Sequence, residues 1–113
     1  TENVLKEWHR ILKKGGKLYL SIPDWDMIMK IYNKIKLLDE WLIKILYGDQ
    51  NNKYAYHYTI FNYSNILYLL NKTGFKSITK TNQFPFKLKD CSNLTHYLLN
   101  NNENISLNII GIK

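Results

Sequence analysis

The spacing of apolar residues predicts that the chain begins with an amphipathic helix. Over residues 1–14 the apolar positions fall at i, i+1, i+4, i+7 and i+8, which is one face of an α-helix. Gly15 supplies the left-handed residue that ends such a helix. We therefore expect one face of this helix to be buried; its members are Val4, Leu5, Trp8, Ile11 and Leu12.

Three short apolar runs predict β-strands, over residues 17–22, 75–81 and 105–112. The first alternates only loosely, which is typical of a strand covered on both faces. Pro23 ends it. The run at 105–112 is rich in Ile, which has a high strand propensity.

Between these strands the pattern predicts helices. Residues 25–47 carry a continuous apolar face and predict a long helix, bent near Leu38-Asp39, with Asp24 as its N-cap. A further helix is expected over 65–73, capped by Ser64 and ended by Gly74. A short helix over 93–99 is also expected. Strands and helices in this order predict one α/β or α+β domain covering residues 1–113.

Charge and composition narrow the functional classes. The 113 residues carry a net charge of +7, but Arg10 is the sole arginine among sixteen basic residues, and the lysines are scattered. Because arginine dominates specific base and phosphate contacts, nucleic-acid binding is not favoured. A basic nucleic-acid-binding domain remains a third, minor hypothesis. No apolar run spans a membrane, no signal peptide is recognised, and the single Cys91 cannot form an internal disulfide. These features favour a cytoplasmic protein without a membrane segment.

Several motifs occur in a characteristic order. The run at 7–24 reads E-W-H-R-I-L-K-K-G-G-K-L-Y-L-S-I-P-D, and G-D-Q-N at 48–51 is followed by His57. The run at 67–75 reads L-Y-L-L-N-K-T-G-F, and Asp90, Ser92 and the I-S-L-N run at 105–108 close the chain. Together they resemble a family of class I S-adenosylmethionine-dependent methyltransferases. Lys14 stands where that family usually has proline.

The resemblance implies the C-terminal half of a Rossmann-like methyltransferase fold. The three strands would correspond to strands five, six and seven of that fold, in the order 5-7-6, with strand seven antiparallel to both neighbours and helices packed on the sheet. The G-x-G turn and the acidic residue that hold S-adenosylmethionine in the family belong to earlier strands, and the sequence has no G-x-G. We therefore expect S-adenosylmethionine to be the cofactor of the parent family, but not to bind tightly to this chain alone.

The resemblance also places candidate site residues. Asp24, Asp26 and Gln50 would bind the acceptor substrate, and His57 would be the catalytic base. Each has a plainer alternative: the two aspartates can cap a helix and balance its dipole, Gln50 can be a solvated loop residue, and a lone histidine among tyrosines is more often packed and hydrogen-bonded. Four aromatic residues could line a pocket, although a satellite core is the better interpretation; they are Tyr54, Tyr56, Tyr58 and Phe61. No metal-ligand spacing is present.

Two functions follow. The first is methyl transfer to a small-molecule or carbohydrate-like acceptor, for which this chain would supply the acceptor side and would be inactive alone. The second is a non-catalytic interaction module that keeps the half-fold. In both cases one side of the strand at 17–22 lacks a neighbour, and unpaired strand edges favour association. We therefore expect the chain either to form a homodimer or to bind a partner that supplies the missing half.

Overall fold

The computed structural model describes residues 1–53, 56–87, 96–100 and 103–113. Within these ranges four helices and three strands form a mixed α/β structure. In chain order the elements are α1 (Glu2–Ile11), β1 (Lys17–Pro23), α2 (Trp25–Ile35), α3 (Glu40–Tyr47), α4 (Tyr63–Lys72), β2 (Lys76–Thr81) and β3 (Ser106–Ile112).

The three strands form one sheet in the order β1-β3-β2. The last strand lies in the centre and is antiparallel to both neighbours, with Lys17 of β1 and Lys76 of β2 both opposite Ile112. The outer strands are therefore parallel to each other. The expected strand order and the expected direction of the third strand are both confirmed.

Two apolar clusters hold the helices against the sheet. The first joins α1, α4 and one sheet face, and its buried members are Leu5, Ile66, Leu70, Phe75, Leu107 and Ile109. The second lies around α2 and α3, and its buried members are Ile28, Ile31, Leu42, Leu99 and Ile105. The central strand is buried along most of its length, whereas β1 is half-buried because it lies at the edge of the sheet.

The prediction that β1 is covered on both faces is confirmed in part. Leu18, Leu20 and Ile22 pack against the first cluster, and Tyr19 contacts the Phe84 and Phe86 rings, but β3 is the more deeply buried strand.

The predicted single buried face of α1 is also wrong. Of its apolar residues Leu5 is buried, whereas Val4, Trp8 and Ile11 are exposed. The five apolar positions span a wider arc of the helix surface than the part that contacts the first cluster. α1 therefore packs through the side that carries Leu5, with half-buried Leu12 just beyond its end. An apolar stripe is left facing outward.

The helix predicted over 25–47 is two helices. Lys36 adopts a left-handed conformation with φ 54° and ends α2, and Asp39 begins α3 by accepting a hydrogen bond from the Leu42 amide at 2.8 Å. The predicted bend near Leu38-Asp39 thus lies in a break of the helix. The cap of α4 is Asn62, which accepts from the Asn65 amide at 3.0 Å, and not Ser64.

The helix expected over 93–99 lies partly outside the described residues, since the structure describes only 96–99 of that range. Those residues form a turn in which the Leu99 amide donates to the His96 carbonyl at 2.9 Å. Asp90, Cys91 and Ser92 also lie outside the described residues. Within the described ranges, no helix has both the length and the apolar character that spanning a membrane requires.

Acid should weaken the contact between α1 and α4. Lys6 and Lys72 each approach the Glu2 carboxylate at 2.8 Å and lower its pKa from 4.5 to about 2. A carboxylate with a lowered folded-state pKa contributes stability above its unfolded pKa, and this is lost as the pH falls through the folded value. We expect Glu2→Gln to flatten the pH dependence of the urea midpoint between about pH 4.5 and pH 2.

Glu40→Gln is the matched control, because the Glu40–Lys44 pair joins two residues of one helix and bridges no elements. Equal slopes for wild type and Glu2→Gln across this window would contradict the assignment.

Candidate functional site

The candidate site lies at the carboxyl end of β1, where three segments of the chain meet. The Asp24 amide donates to the Ile105 carbonyl, and the Trp25 amide donates to the Phe61 carbonyl, both at 2.8 Å. Asp24 and Phe61 form a parallel bridge, so the segment at 56–61 enters the sheet edge beside the end of β1. In open α/β sheets, ligands bind at the carboxyl ends of strands.

Asp24 is the buried acidic residue of this corner. Its carboxylate accepts from the Asp26 amide at 3.2 Å, which confirms it as the N-cap of α2, and its other oxygen lies 3.3 Å from Lys80 Nζ on β2. The residue is only 2% exposed, whereas the Lys80 side chain is about half exposed. Direct contact with a substrate would require this arrangement to open, and capping accounts for the side chain as it stands.

Asp26 and Gln50 do not join Asp24 in one constellation. Asp26 is exposed in the first turn of α2, where its charge complements the helix dipole. Gln50 is exposed in the loop after α3 and has φ 56°. Neither residue lines any cleft that the structure describes at this end of the sheet, so their roles as substrate ligands stay predictions.

His57 fastens the 56–61 segment to the end of α3. Its amide donates to the Tyr47 carbonyl at 3.0 Å, and its Nδ1 lies 2.8 Å from the Ile45 carbonyl oxygen. A carbonyl only accepts, so Nδ1 carries the proton and Nε2 of the neutral ring holds a lone pair. The ring borders a narrow crevice beside Pro23 and Ile60. The geometry is therefore compatible with both a structural role and a general base.

Two apolar clefts flank the same corner and share Phe61. One, of about 270 Å³, is lined by Trp25, Ile60, Phe61, Asn62 and Asn65 and is called the Phe61 cleft below. The other, of about 340 Å³, runs between α1 and β1 and is called the edge groove; it is lined by Thr1, Val4, Leu5, Trp8, Leu20, Ile22, Tyr58, Thr59, Phe61 and Ile66. Neither lining contains a charged side chain.

Only part of this corner is indicated by the sequence. Phe61 lines both clefts and Tyr58 lines the edge groove, as the pocket alternative predicts. Tyr56 and Tyr58 are exposed and stack on each other with 6.2 Å between ring centroids, so they are not a satellite core. Tyr54 lies outside the described residues. Trp25, Asn62 and Asn65 were not predicted as lining residues. The position of Trp25 directly after the strand-ending Pro23-Asp24 was the one available indication.

The glycines do not fit a nucleotide-binding turn. The Gly15 amide donates to the Lys113 carbonyl at 3.0 Å, and the Gly16 amide donates to the Lys13 carbonyl at 2.8 Å. The other three serve as a helix end and as close-packing positions: Gly48 donates to Lys44, Gly74 faces the His9 ring and Gly111 lies against Phe75. Each of the five glycines thus has a local structural use. No group of three metal-ligating side chains occurs in the part of the chain that the structure describes.

Comparison with known proteins gives no match. No protein-family model matches the sequence, and no curated protein and no solved structure is significantly similar to it. The methyltransferase resemblance therefore depends on the motifs quoted above.

Proposed function

We propose that this chain is the C-terminal half of a class I S-adenosylmethionine-dependent methyltransferase with a Rossmann-like fold, and that it supplies the acceptor side of the site. The observation that carries the proposal is the sheet: the last strand lies between two parallel strands and is antiparallel to both. The motifs leading into β1 and β3 support the same assignment. The acceptor is a small or carbohydrate-like molecule.

In this proposal the corner at the end of β1 holds the acceptor. The Phe61 cleft offers an apolar wall with two asparagine side chains at its rim, a combination that suits a small molecule with polar groups. His57 borders the neighbouring crevice, which shares Ile60 with the Phe61 cleft. In this proposal its Nε2 accepts the proton that the acceptor loses, while the bond from Nδ1 to Ile45 keeps the tautomer fixed. Asp24 acts mainly as a positioning residue, since its carboxylate holds the start of α2 beside the cleft.

The second candidate function is a non-catalytic interaction module. The exposed apolar stripe on α1 favours it, because contiguous exposed apolar residues are typical of an interaction site. The two functions differ in what the complete gene product does. A methyltransferase binds its cofactor stoichiometrically, whereas an interaction module has no such requirement.

We expect the 113-residue chain alone to show no saturable binding of S-adenosylmethionine or S-adenosylhomocysteine in isothermal titration. Affinity in nucleotide-binding folds depends on close backbone approach at a glycine turn and on a carboxylate that accepts the ribose hydroxyls. Losing two or three such hydrogen bonds weakens binding by about 100-fold or more. One-to-one binding at low micromolar concentration would contradict the half-domain assignment.

The positive test uses the product of the complete reading frame that contains this sequence. It should bind S-adenosylhomocysteine stoichiometrically, and His57→Gln should leave that binding unchanged while slowing methyl transfer. A complete product that folds but binds neither compound would reject the methyltransferase proposal and favour the interaction module.

A further inference from the structure

A polar cleft lies at the carboxyl end of β2, at the same end of the sheet as the carboxyl end of β1. It has a volume of about 210 Å³ and is lined by Lys80, Thr81, Asn82, Glu103, Asn104 and Ser106, with Met27 as its apolar member. None of these residues lines the Phe61 cleft or the edge groove. Because β1 and β2 are parallel, the polar cleft lies where the strands of open α/β sheets bind ligands.

The fold holds the polar groups of this cleft in place. Asn104 Nδ2 donates to the Asn82 carbonyl at 2.6 Å. Because a carbonyl only accepts, this bond identifies the amide nitrogen and makes Asn104 Oδ1 an acceptor. Lys80 Nζ lies 3.3 Å from the Asp24 carboxylate, which takes one of the three donors of the ammonium group. Donors and acceptors that are fixed before a ligand arrives lower the cost of binding.

The charges of the cleft are already balanced within the fold. The Glu103 carboxylate accepts from Lys30 and, at 3.0 Å, from the Asn100 amide. Lys80 is paired with Asp24, so each charged side chain of the lining has a partner of opposite sign. A charged ligand would add an unbalanced charge, whereas a neutral ligand can use the remaining donors and lone pairs and leave both ion pairs intact.

We propose that the polar cleft binds one neutral polyhydroxylated ring of the size of a monosaccharide. The ring hydroxyls donate to Asn104 Oδ1 and to the Glu103 carboxylate, and they accept from Lys80. Met27 provides an apolar wall for the C–H face of the ring. The volume is below the range of about 300–1,000 Å³ that is typical of drug-sized ligands, which suits one ring. A flat aromatic base is not favoured, because no aromatic ring is among the described residues that line the cleft.

This inference goes beyond the proposed function and does not depend on methyl transfer. The acceptor corner uses the Phe61 cleft and His57, whereas sugar binding to the polar cleft is measured on the 113-residue chain without any cofactor. A failure of the sugar test would therefore leave the methyltransferase proposal unchanged, and a failure of cofactor binding would leave this inference unchanged.

The test is titration of the isotope-labelled chain with D-glucose, D-galactose and myo-inositol, followed through the backbone amide signals in NMR spectra. We expect saturable binding of at least one of them with a dissociation constant of about 1–10 mM, the range for about a dozen non-hydrogen atoms of ordinary ligand efficiency. The shifted amides should be those of Thr81, Asn82 and Asn104. Inorganic phosphate and L-serine, an anion and a zwitterion, should bind more weakly. No shift at these amides with any neutral probe, or tighter binding of either charged probe, would overturn the proposal.

Two substitutions locate the site. Asn104→Ala removes one acceptor, while the Asn82 carbonyl keeps its bond from Asn108 at 3.1 Å, so the dissociation constant should rise about three- to tenfold. Asn65→Ala is the matched control, because Asn65 is an exposed asparagine at the Phe61 cleft; it should leave the constant unchanged. A constant that Asn104→Ala leaves unchanged, or that Asn65→Ala raises, would assign the sugar to another site and overturn the proposal. If Asn104→Ala fails to fold, the amides shifted in the wild-type chain decide between the two clefts.

Discussion

Phe75→Ala should lower the free energy of unfolding by about 3–5 kcal/mol, the range for truncating a fully buried aromatic side chain. Phe75 is completely buried between α4 and β2, and its ring meets the edge of the His9 ring with 5.1 Å between centroids. On β3 it rests against Gly111, where an added Cβ would lie 3.3 Å from its Cδ1. Removing the ring leaves a cavity that three elements border, so local collapse cannot fill it.

Urea unfolding monitored by circular dichroism measures this effect. Phe86→Ala is the control, because Phe86 is 44% exposed although it also contacts other rings; its substitution should cost about 1 kcal/mol. If Phe75→Ala fails to fold, Phe75→Leu, which leaves a smaller cavity, should show an intermediate loss. Similar losses for Phe75 and Phe86 would mean that Phe75 is not central to the core.

The Phe75 site also shows where local sequence stops being informative. Gly74 was expected as the residue that follows a helix, and its φ of 104° confirms a conformation that favours glycine. Gly111, far along the chain, makes room for the Phe75 ring. The sequence around either residue does not indicate this contact. A glycine inside a strand suggests a close approach, but only the sheet register and the helix above it identify the approaching residue.

The strands were predictable because their apolar runs are short and bounded by proline, glycine or polar residues. The break between α2 and α3 was not, because Lys36 ends α2 in a left-handed conformation that lysine seldom adopts, and periodicity alone carries the apolar face across it. The cap of α4 was also predicted wrongly, as Ser64 instead of Asn62. Both are good capping residues, and local sequence does not decide at which of the two positions the helix begins.

The candidate site was also predictable only in part. Asp24 was predictable as a cap because it stands between a strand-ending proline and an amphipathic run. Its burial and its pairing with Lys80 depend on β2 lying near the start of α2, which is long-range information. The Phe61 cleft depends on a bridge between residues far apart in the chain, so its lining could not be read from local spacing.

Asp24→Ala should lower the free energy of unfolding by about 1–3 kcal/mol, mainly through loss of the α2 cap at a buried position. Asp24→Asn keeps an oxygen that can accept from the Asp26 amide, so it should cost clearly less. The ion pair itself contributes at most about 1 kcal/mol, because Lys80 is half exposed and solvent screens its charge. The two substitutions therefore separate the cap from the charge in the same urea experiment.

Asp39→Ala is the matched control for capping alone, because Asp39 caps α3 through the Leu42 amide but is less buried than Asp24. A double-mutant cycle with Lys80→Met isolates the ion pair, and its coupling energy should stay within about 1 kcal/mol. A larger coupling, or an Asp24→Asn variant as unstable as Asp24→Ala, would mean that the carboxylate charge, and not the cap, holds this corner together. Asp24 would then stabilise the corner through its ion pair with Lys80, which is a structural use of the charge and gives no support to its assignment to the substrate site.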